Sequence, residues 1–239
     1  MQRHLETFLQ LDELGERFPE FQPTFPFPGE YIDSFHRGLA ETPLQDGILV
    51  QVAKPGSAKI IPGFLRRADA LKIYELAYFA AGDILEIGIF QGLSGTILAR
   101  ATRNSGKPER RIVSVDLNPL RLAQTFLTLA SQGLLAGREF RHGDAAGVVR
   151  KLARQGRQFG FSFIDHSHAY QPVLEVCQEL PKVIAPGGFC LFHDYNDERN
   201  REPGNDAYKV YQAVADGLPS PMFTFCGVYG CTALYQRTN

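Results

Sequence analysis

The sequence predicts an α/β fold. It is a doubly wound, mostly parallel seven-stranded sheet with an antiparallel C-terminal hairpin strand, behind an N-terminal helical and proline-rich extension. Three observations predict it. From residue 66 onward, short apolar runs alternate with amphipathic stretches, the rhythm of parallel strands joined by right-handed helical crossovers. The first of these strands delivers a glycine turn to a helix start in Ile84-Leu85-Glu86-Ile87-Gly88-Ile89-Phe90-Gln91-Gly92-Leu93-Ser94-Gly95. Near the end the rhythm breaks into two strands, 221–226 and 229–236, with a tight turn at Gly227-Val228.

The elements follow in order. Leu5, Phe8, Leu9, Leu11 and Leu14 recur at helical spacing, so residues 1–17 are expected to form an amphipathic helix. Pro19, Pro23, Pro26 and Pro28 then forbid a regular helix, and the aromatic residues among them make an extended arm that must pack on something. A short helix is expected at 31–39 and little regular structure up to residue 60. Ala70, Ile73, Tyr74, Ala77 and Ala81 share one face of a helix over 66–81, which Gly82 closes. Strands are expected at 83–87, 111–116, 138–142, 160–165 and 188–193. The helices between and after them fall at 93–103, 119–132, 145–155, 171–184 and 205–216, with Pro181 kinking or ending the fourth.

Composition narrows the function. The 239 residues carry a net charge of −1, which gives no electrostatic footprint for nucleic acid. No apolar run is long enough to cross a bilayer, and the amino end has no apolar signal region, so a cytoplasmic protein is expected. Cys177, Cys190, Cys226 and Cys231 read as buried free thiols; a Cys226–Cys231 hairpin pair is the alternative.

The chemistry gathers at strand ends, where ligands of doubly wound sheets sit. Gly88 allows the tight turn and Gly92 a close approach of backbone to ligand, while Ser94 offers a hydroxyl at the helix start. The spacing is Gly-x-x-x-Gly, with Phe90 where a dinucleotide-binding turn has its middle glycine. Glu86 would repel a diphosphate and attract an amino group. Asp116 ends the second strand, where a carboxylate accepts from a ribose diol. Asp144 follows the third strand and doubles as a helix cap. Asp165 and Asp194 end neighbouring strands, so their carboxylates share a proton or bind a hard cation such as Mg²⁺.

Residues 83–236 resemble the class I S-adenosylmethionine-dependent methyltransferases. The marks are Glu86-x-Gly88-x-x-x-Gly92-x-Ser94, Asp116, Gly143-Asp144-Ala145, Pro186-Gly187-Gly188 and the terminal hairpin. Phe163-Ile164-Asp165 with His168-x-Tyr170 and Phe192-His193-Asp194-Tyr195 is similar to a bacterial small-molecule branch related to metal-dependent macrolide-sugar O-methyltransferases. That branch usually has a second acid where this chain has Ser167. The resemblance implies a cofactor, S-adenosylmethionine, with its amino group near Glu86 and Gly88 and its carboxylate at the helix start with Ser94. It implies Asp116 on the ribose, Leu117 against adenine, Asp144 and Ala145 at the adenine edge, and Asp165 beside the reacting methyl. It divides the chain into an extension, 1–65, acting as acceptor lid or dimer arm, and a methyltransferase domain, 66–239.

Methyl transfer asks the protein to position a nucleophile and remove its proton. Two routes suit these residues. A metal on Asp165 and Asp194, with Asn196 or Asp197 as third donor, would acidify an acceptor hydroxyl. Alternatively His168 or His193 acts as general base, His168 ranking first. The expected reaction is O-methylation of a small molecule, a sugar or natural product, with no nucleic-acid or membrane partner. The rivals are an inactive methyltransferase-like binding protein and an NAD-dependent oxidoreductase.

Overall fold

The computed structural model describes residues 31–41, 47–51, 58–107 and 109–238. The expected helix over 1–17 and the proline-rich arm lie outside them.

After helix α1 (Ser34–Glu41) comes a two-stranded antiparallel pair, β1 (Ile48–Gln51) with β2 (Ala58–Ile61), which the sequence reading left unassigned. Helix α2 (Arg67–Phe79) follows. Alternation then begins with β3 (Asp83–Ile87), α3 (Leu93–Asn104), β4 (Ile112–Asp116), α4 (Pro119–Ala130) and β5 (Arg138–His142). It continues with α5 (Ala145–Arg154), β6 (Phe159–Ile164), α6 (Tyr170–Glu179), β7 (Ile184–Phe192) and α7 (Val210–Gly217). The chain closes on β8 (Phe223–Tyr229) and β9 (Thr232–Arg237). Pro181 acts as anticipated: α6 stops at Glu179 and a short 3-10 turn, Leu180–Lys182, completes the connection.

The seven strands lie in the order β5-β4-β3-β6-β7-β9-β8. All neighbouring pairs from β5 to β7 are parallel, while β9 pairs antiparallel with both β7 and β8. The inner parallel strands β4 and β6 are buried along their whole length, whereas the edge strand β5 is mostly charged and half-buried. One face packs Ile84, Ile112, Phe161 and Phe163 beneath α2 and α3; the other packs Leu85, Ile87, Val113 and Ile164 beneath α5 and α6. Alternate side chains of β3 thus enter opposite cores, as strand geometry requires.

The chain reverses its direction of winding between β3 and β6, and the cleft opens there. Two hydrogen bonds continue the sheet into the loops: Gly88 N–H donates to the Val115 carbonyl at 2.8 Å, and Asp165 N–H to the Ile87 carbonyl at 2.7 Å. Gly88 has φ 86°, and a Cβ on it would lie 1.9 Å from the Asp165 carbonyl oxygen. Only glycine lets these two strand ends close side by side.

Candidate active site

One side of the cleft is made by the ends of β3, β4 and β5. Asp116 is buried, and both its oxygens serve the loops: Oδ2 accepts from Ile89 N–H at 3.1 Å and Oδ1 from Asn118 N–H at 2.7 Å. Each oxygen retains a further lone pair for a ligand. Leu117 lines the cleft with its side chain open to solvent, 71% exposed. Asp144 caps α5 by accepting from Gly147 N–H at 2.8 Å, and both it and Ala145 face the same space. His142 bonds the Leu117 carbonyl at 3.0 Å, tying the end of β5 to the loop after β4.

Glu86 is placed differently from the expectation. It is fully buried and lies outside the cleft wall. Its Oε2 meets Arg138 at 3.0 Å and the Ser114 hydroxyl at 2.6 Å, and its Oε1 accepts from the Ser94 hydroxyl at 2.8 Å. A buried carboxylate in a nearly dry setting needs a cation and donors, and Glu86 has found both inside the protein. The partner lies 52 residues downstream, beyond any local signal. Ser94 reaches the cleft but spends its hydroxyl on Glu86. Gly92, at φ 90°, caps α3 beside Thr125 and also stands outside the cleft wall.

The ends of β6 and β7 make the other side. His168 Nε2 lies 2.8 Å from Asp194 Oδ2, and its ring stacks on Tyr208 with centroids 4.6 Å apart. His193 is buried among three carboxylates: its Nδ1 is 3.2 Å from Asp194 and 3.4 Å from Asp165, and its Nε2 is 3.4 Å from Asp69. Burial works against charge on both rings, but the carboxylates prevail. His168 is raised above the ordinary imidazole value, and His193 well above it. Burial likewise opposes the charge of Asp194, yet His193 and His168 hold it well below the usual carboxylate range. Asp194 takes a left-handed backbone, φ 57°, uncommon for a residue with a side chain. Beside it, buried Asp197 grips Arg199 with two hydrogen bonds at 2.9 and 3.0 Å, and Arg199 lies over the Tyr208 ring.

The expected oxygen-rich metal set is not assembled. Asn196 is buried, with its amide nitrogen donating to the Gly230 carbonyl at 3.2 Å. Ligand atoms of Asp165, His168 and Asp194 do lie within 4.8 Å of one another. Asp194 there is already shared between two imidazoles, and a nitrogen takes the place of an oxygen donor. Mg²⁺ favours oxygen ligands in octahedral array, so this set does not fit it. A second cluster, Asp194, Asp197 and Cys231, offers a thiol that burial keeps protonated, again a poor match. All four cysteines are buried free thiols, so no Cys226–Cys231 bridge forms.

The wall facing the strand ends comes from residues the sequence reading did not single out. The segment Gly63–Arg67, leading from β2 into α2, brings Phe64, Arg66 and Arg67; Phe90 and Arg121 stand beside it. Nothing in the local pattern of Pro62-Gly63-Phe64 reveals that it faces a cleft, because the approach of α2 to β6 and the hairpin is a long-range event. The cleft encloses about 2040 Å³. That is roughly twice the upper end for a single drug-sized ligand, so two molecules have room.

Residues 85–195 match the family described as "Methyltransferase domain". The ribosomal RNA small subunit methyltransferase C of Pseudomonas aeruginosa is 30% identical over 146 residues, which are 61% of this chain and 41% of that protein. The chain thus spans about two fifths of the length of the curated relatives it matches. Among solved structures, the O-methyltransferase TomG of Streptomyces achromogenes superposes with a TM-score of 0.60 at 22% identity, over 73% of this chain and 82% of that one. An O-methyltransferase from Bacillus cereus gives a TM-score of 0.60 at 18% identity, over 75% and 84%. Residues 85–195, which match the methyltransferase domain, run from β3 to the end of β7 and so carry the strand ends that border the cleft at the β3–β6 reversal.

Proposed function

We propose that this protein moves a methyl group from S-adenosylmethionine to a hydroxyl of a small molecule, a sugar or natural product, with His168 as general base. The observation that carries the reading is one continuous cleft with Gly88, Asp116, Leu117 and Asp144 at one end and the His168–Asp194 pair at the other.

The residues present fit the cofactor with one revision. Asp116 offers spare lone pairs for a ribose diol, exposed Leu117 an apolar face for adenine, and Asp144 with Ala145 an edge for its amine. Glu86 is committed to Arg138, so the amino group of the cofactor falls to the Asp165 carboxylate beside Gly88. When bound, S-adenosylmethionine supplies an activated sulfonium methyl. The chain's own task is then deprotonation and alignment. Asp194 accepts from His168 Nε2–H, which leaves the Nδ1 lone pair to take the acceptor proton. The Tyr208 ring fixes the imidazole plane. His193, held positive among the acids, keeps Asp165 and Asp194 together without mutual repulsion.

A polynucleotide acceptor is the second reading, favoured by the Pseudomonas relative. The net charge of −1 and the acids Asp165, Asp194, Asp197, Glu198 and Glu202 along the cleft weigh against it. The test is calorimetric titration of the full chain with S-adenosylhomocysteine and, separately, NAD⁺, followed by methyl-transfer assays of wild type and His168→Ala. Micromolar binding of the homocysteine compound alone, with transfer lost in the variant, supports the proposal. NAD⁺ binding instead would remove it, and binding without any transfer would favour an inactive binding protein.

A further inference from the structure

We infer that the methyl acceptor is an acid, whose carboxylate or phosphate is seated on Arg66 at the cleft wall opposite the strand ends. The inference rests on the methyl-transfer reading above and names its substrate class. Arg66 Nη2 is shielded from solvent and has no hydrogen-bond partner among the described residues. A guanidinium N–H in that state is stabilised by an acceptor that the protein itself does not provide.

Its position is fixed by a short chain of contacts. Arg66 N–H donates to Asp69 Oδ2 at 2.7 Å, and the same carboxylate oxygen lies 3.4 Å from His193 Nε2. The backbone of Arg66 therefore stands at the end of the cleft where His193, Asp165 and His168 gather, and its side chain borders the same cleft.

The charges on the two walls differ. On the strand-end side, Asp194 is matched by His168 and His193 and Asp197 by Arg199, while Glu198 and Glu202 border the cleft without an ion pair among the described residues. On the facing wall, Arg66 and Arg67 form no ion pair among the described residues. The surplus on that wall is positive, and an arginine fork suits the two oxygens of a carboxylate or phosphate. The same wall exposes aromatic surface. Phe64 is 68% exposed, and its ring lies 5.7 Å from that of Phe90, over which Arg121 sits at 5.3 Å. An acid with a flat apolar body meets both features at once.

The test uses the full chain saturated with S-adenosylhomocysteine, so that cofactor binding is measured on the same sample. Calorimetry then compares 4-hydroxybenzoate and phenyl phosphate, as the two anion sources, with uncharged methyl 4-hydroxybenzoate and a short single-stranded RNA. Binding of one or both anions, at least about tenfold weaker in Arg66→Ala and partly restored in Arg66→Lys, supports the inference. Unchanged anion affinity in Arg66→Ala overturns it, as does an ester that binds as well as the acid, or binding of the RNA alone. Failure of S-adenosylhomocysteine to bind the wild type would instead strike the methyl-transfer reading. Unchanged S-adenosylhomocysteine affinity in both variants certifies that they fold.

Discussion

Asp194 reaches His168 Nε2 at 2.8 Å from a left-handed backbone, φ 57°. Such a conformation is held only where the surroundings over-determine it, and here it turns one carboxylate toward two imidazoles. If His168 is the base, its raised pKa sets the lower limb of the pH profile. Transfer should rise with pH through a midpoint above the ordinary imidazole value of about 6.5. In Asp194→Asn that midpoint should move to lower pH, because the charge that raised it is gone. His168→Ala should lose about 10²- to 10⁴-fold in kcat while retaining S-adenosylhomocysteine affinity. A pH profile that does not move in Asp194→Asn would detach the pair from the chemistry.

The same groups shape stability. His168 and His193 have raised values in the folded state, so their contribution is complete below the unfolded imidazole value of about 6.5. It is lost as pH climbs through the raised values. Asp194 is depressed, so its contribution holds above the usual aspartate value of about 3.9 and is lost as pH falls through the depressed one. Urea midpoints of wild type should fall between pH 6 and pH 9, and Asp194→Asn should flatten that slope.

Glu86→Ala should act on folding first. It strips the partner from Arg138, whose side chain is 1% exposed, and leaves the Ser94 and Ser114 hydroxyls without their acceptor. Breaking a buried pair from one side costs about 3–5 kcal/mol. Chemical denaturation measures this directly. A variant as stable as wild type that has lost only S-adenosylhomocysteine affinity would return Glu86 to the ligand.

Asp116→Ala should weaken S-adenosylhomocysteine binding by roughly tenfold or more, through loss of a charged acceptor. The structure adds a second route to the same loss, because Asp116 also holds the Ile89 N–H in the turn after Gly88. Asp116→Asn keeps one acceptor oxygen and should fall between the two. Equal affinities in all three proteins would remove Asp116 from the site.

Chelation separates the two deprotonation routes. With Asn196 bonded to the Gly230 carbonyl and a histidine nitrogen at the acids, turnover is expected to survive EDTA unchanged. Loss of activity in EDTA with recovery on Mg²⁺ would show that the carboxylates rearrange around an ion.

What the sequence made legible was local or periodic. Strand β3 at 83–87 falls on an apolar run, strand β5 at 138–142 falls where the strand–helix rhythm places it, and the terminal hairpin follows from the break in alternation. Asp116, Asp165, His168 and Asp194 were findable because each sits at the end of an apolar run, and such ends meet in a doubly wound sheet. Glu86 sits at the same kind of position, but its burial against Arg138, from another strand, leaves no local signal. Phe64 and Arg66 were missed for a related reason: a loop that folds back over a cleft carries no periodicity. The bond that Asn196 makes depends on Gly230, 34 positions later.

Asp69, 3.4 Å from His193 Nε2, depends on a donor that comes late in the chain. Asp69, which faces His193, also accepts from Cys231 N–H at 2.8 Å, across 162 positions of chain. Its two flanking supports therefore leave the ribosome at opposite ends of the domain's synthesis. A nascent chain with β3 to β7 already outside still lacks the turn that secures Asp69 beneath His193. Contacts this distant in sequence are the slow ones to form. The surroundings of Asp69 and His193 are thus complete only once the turn between β8 and β9 has been made.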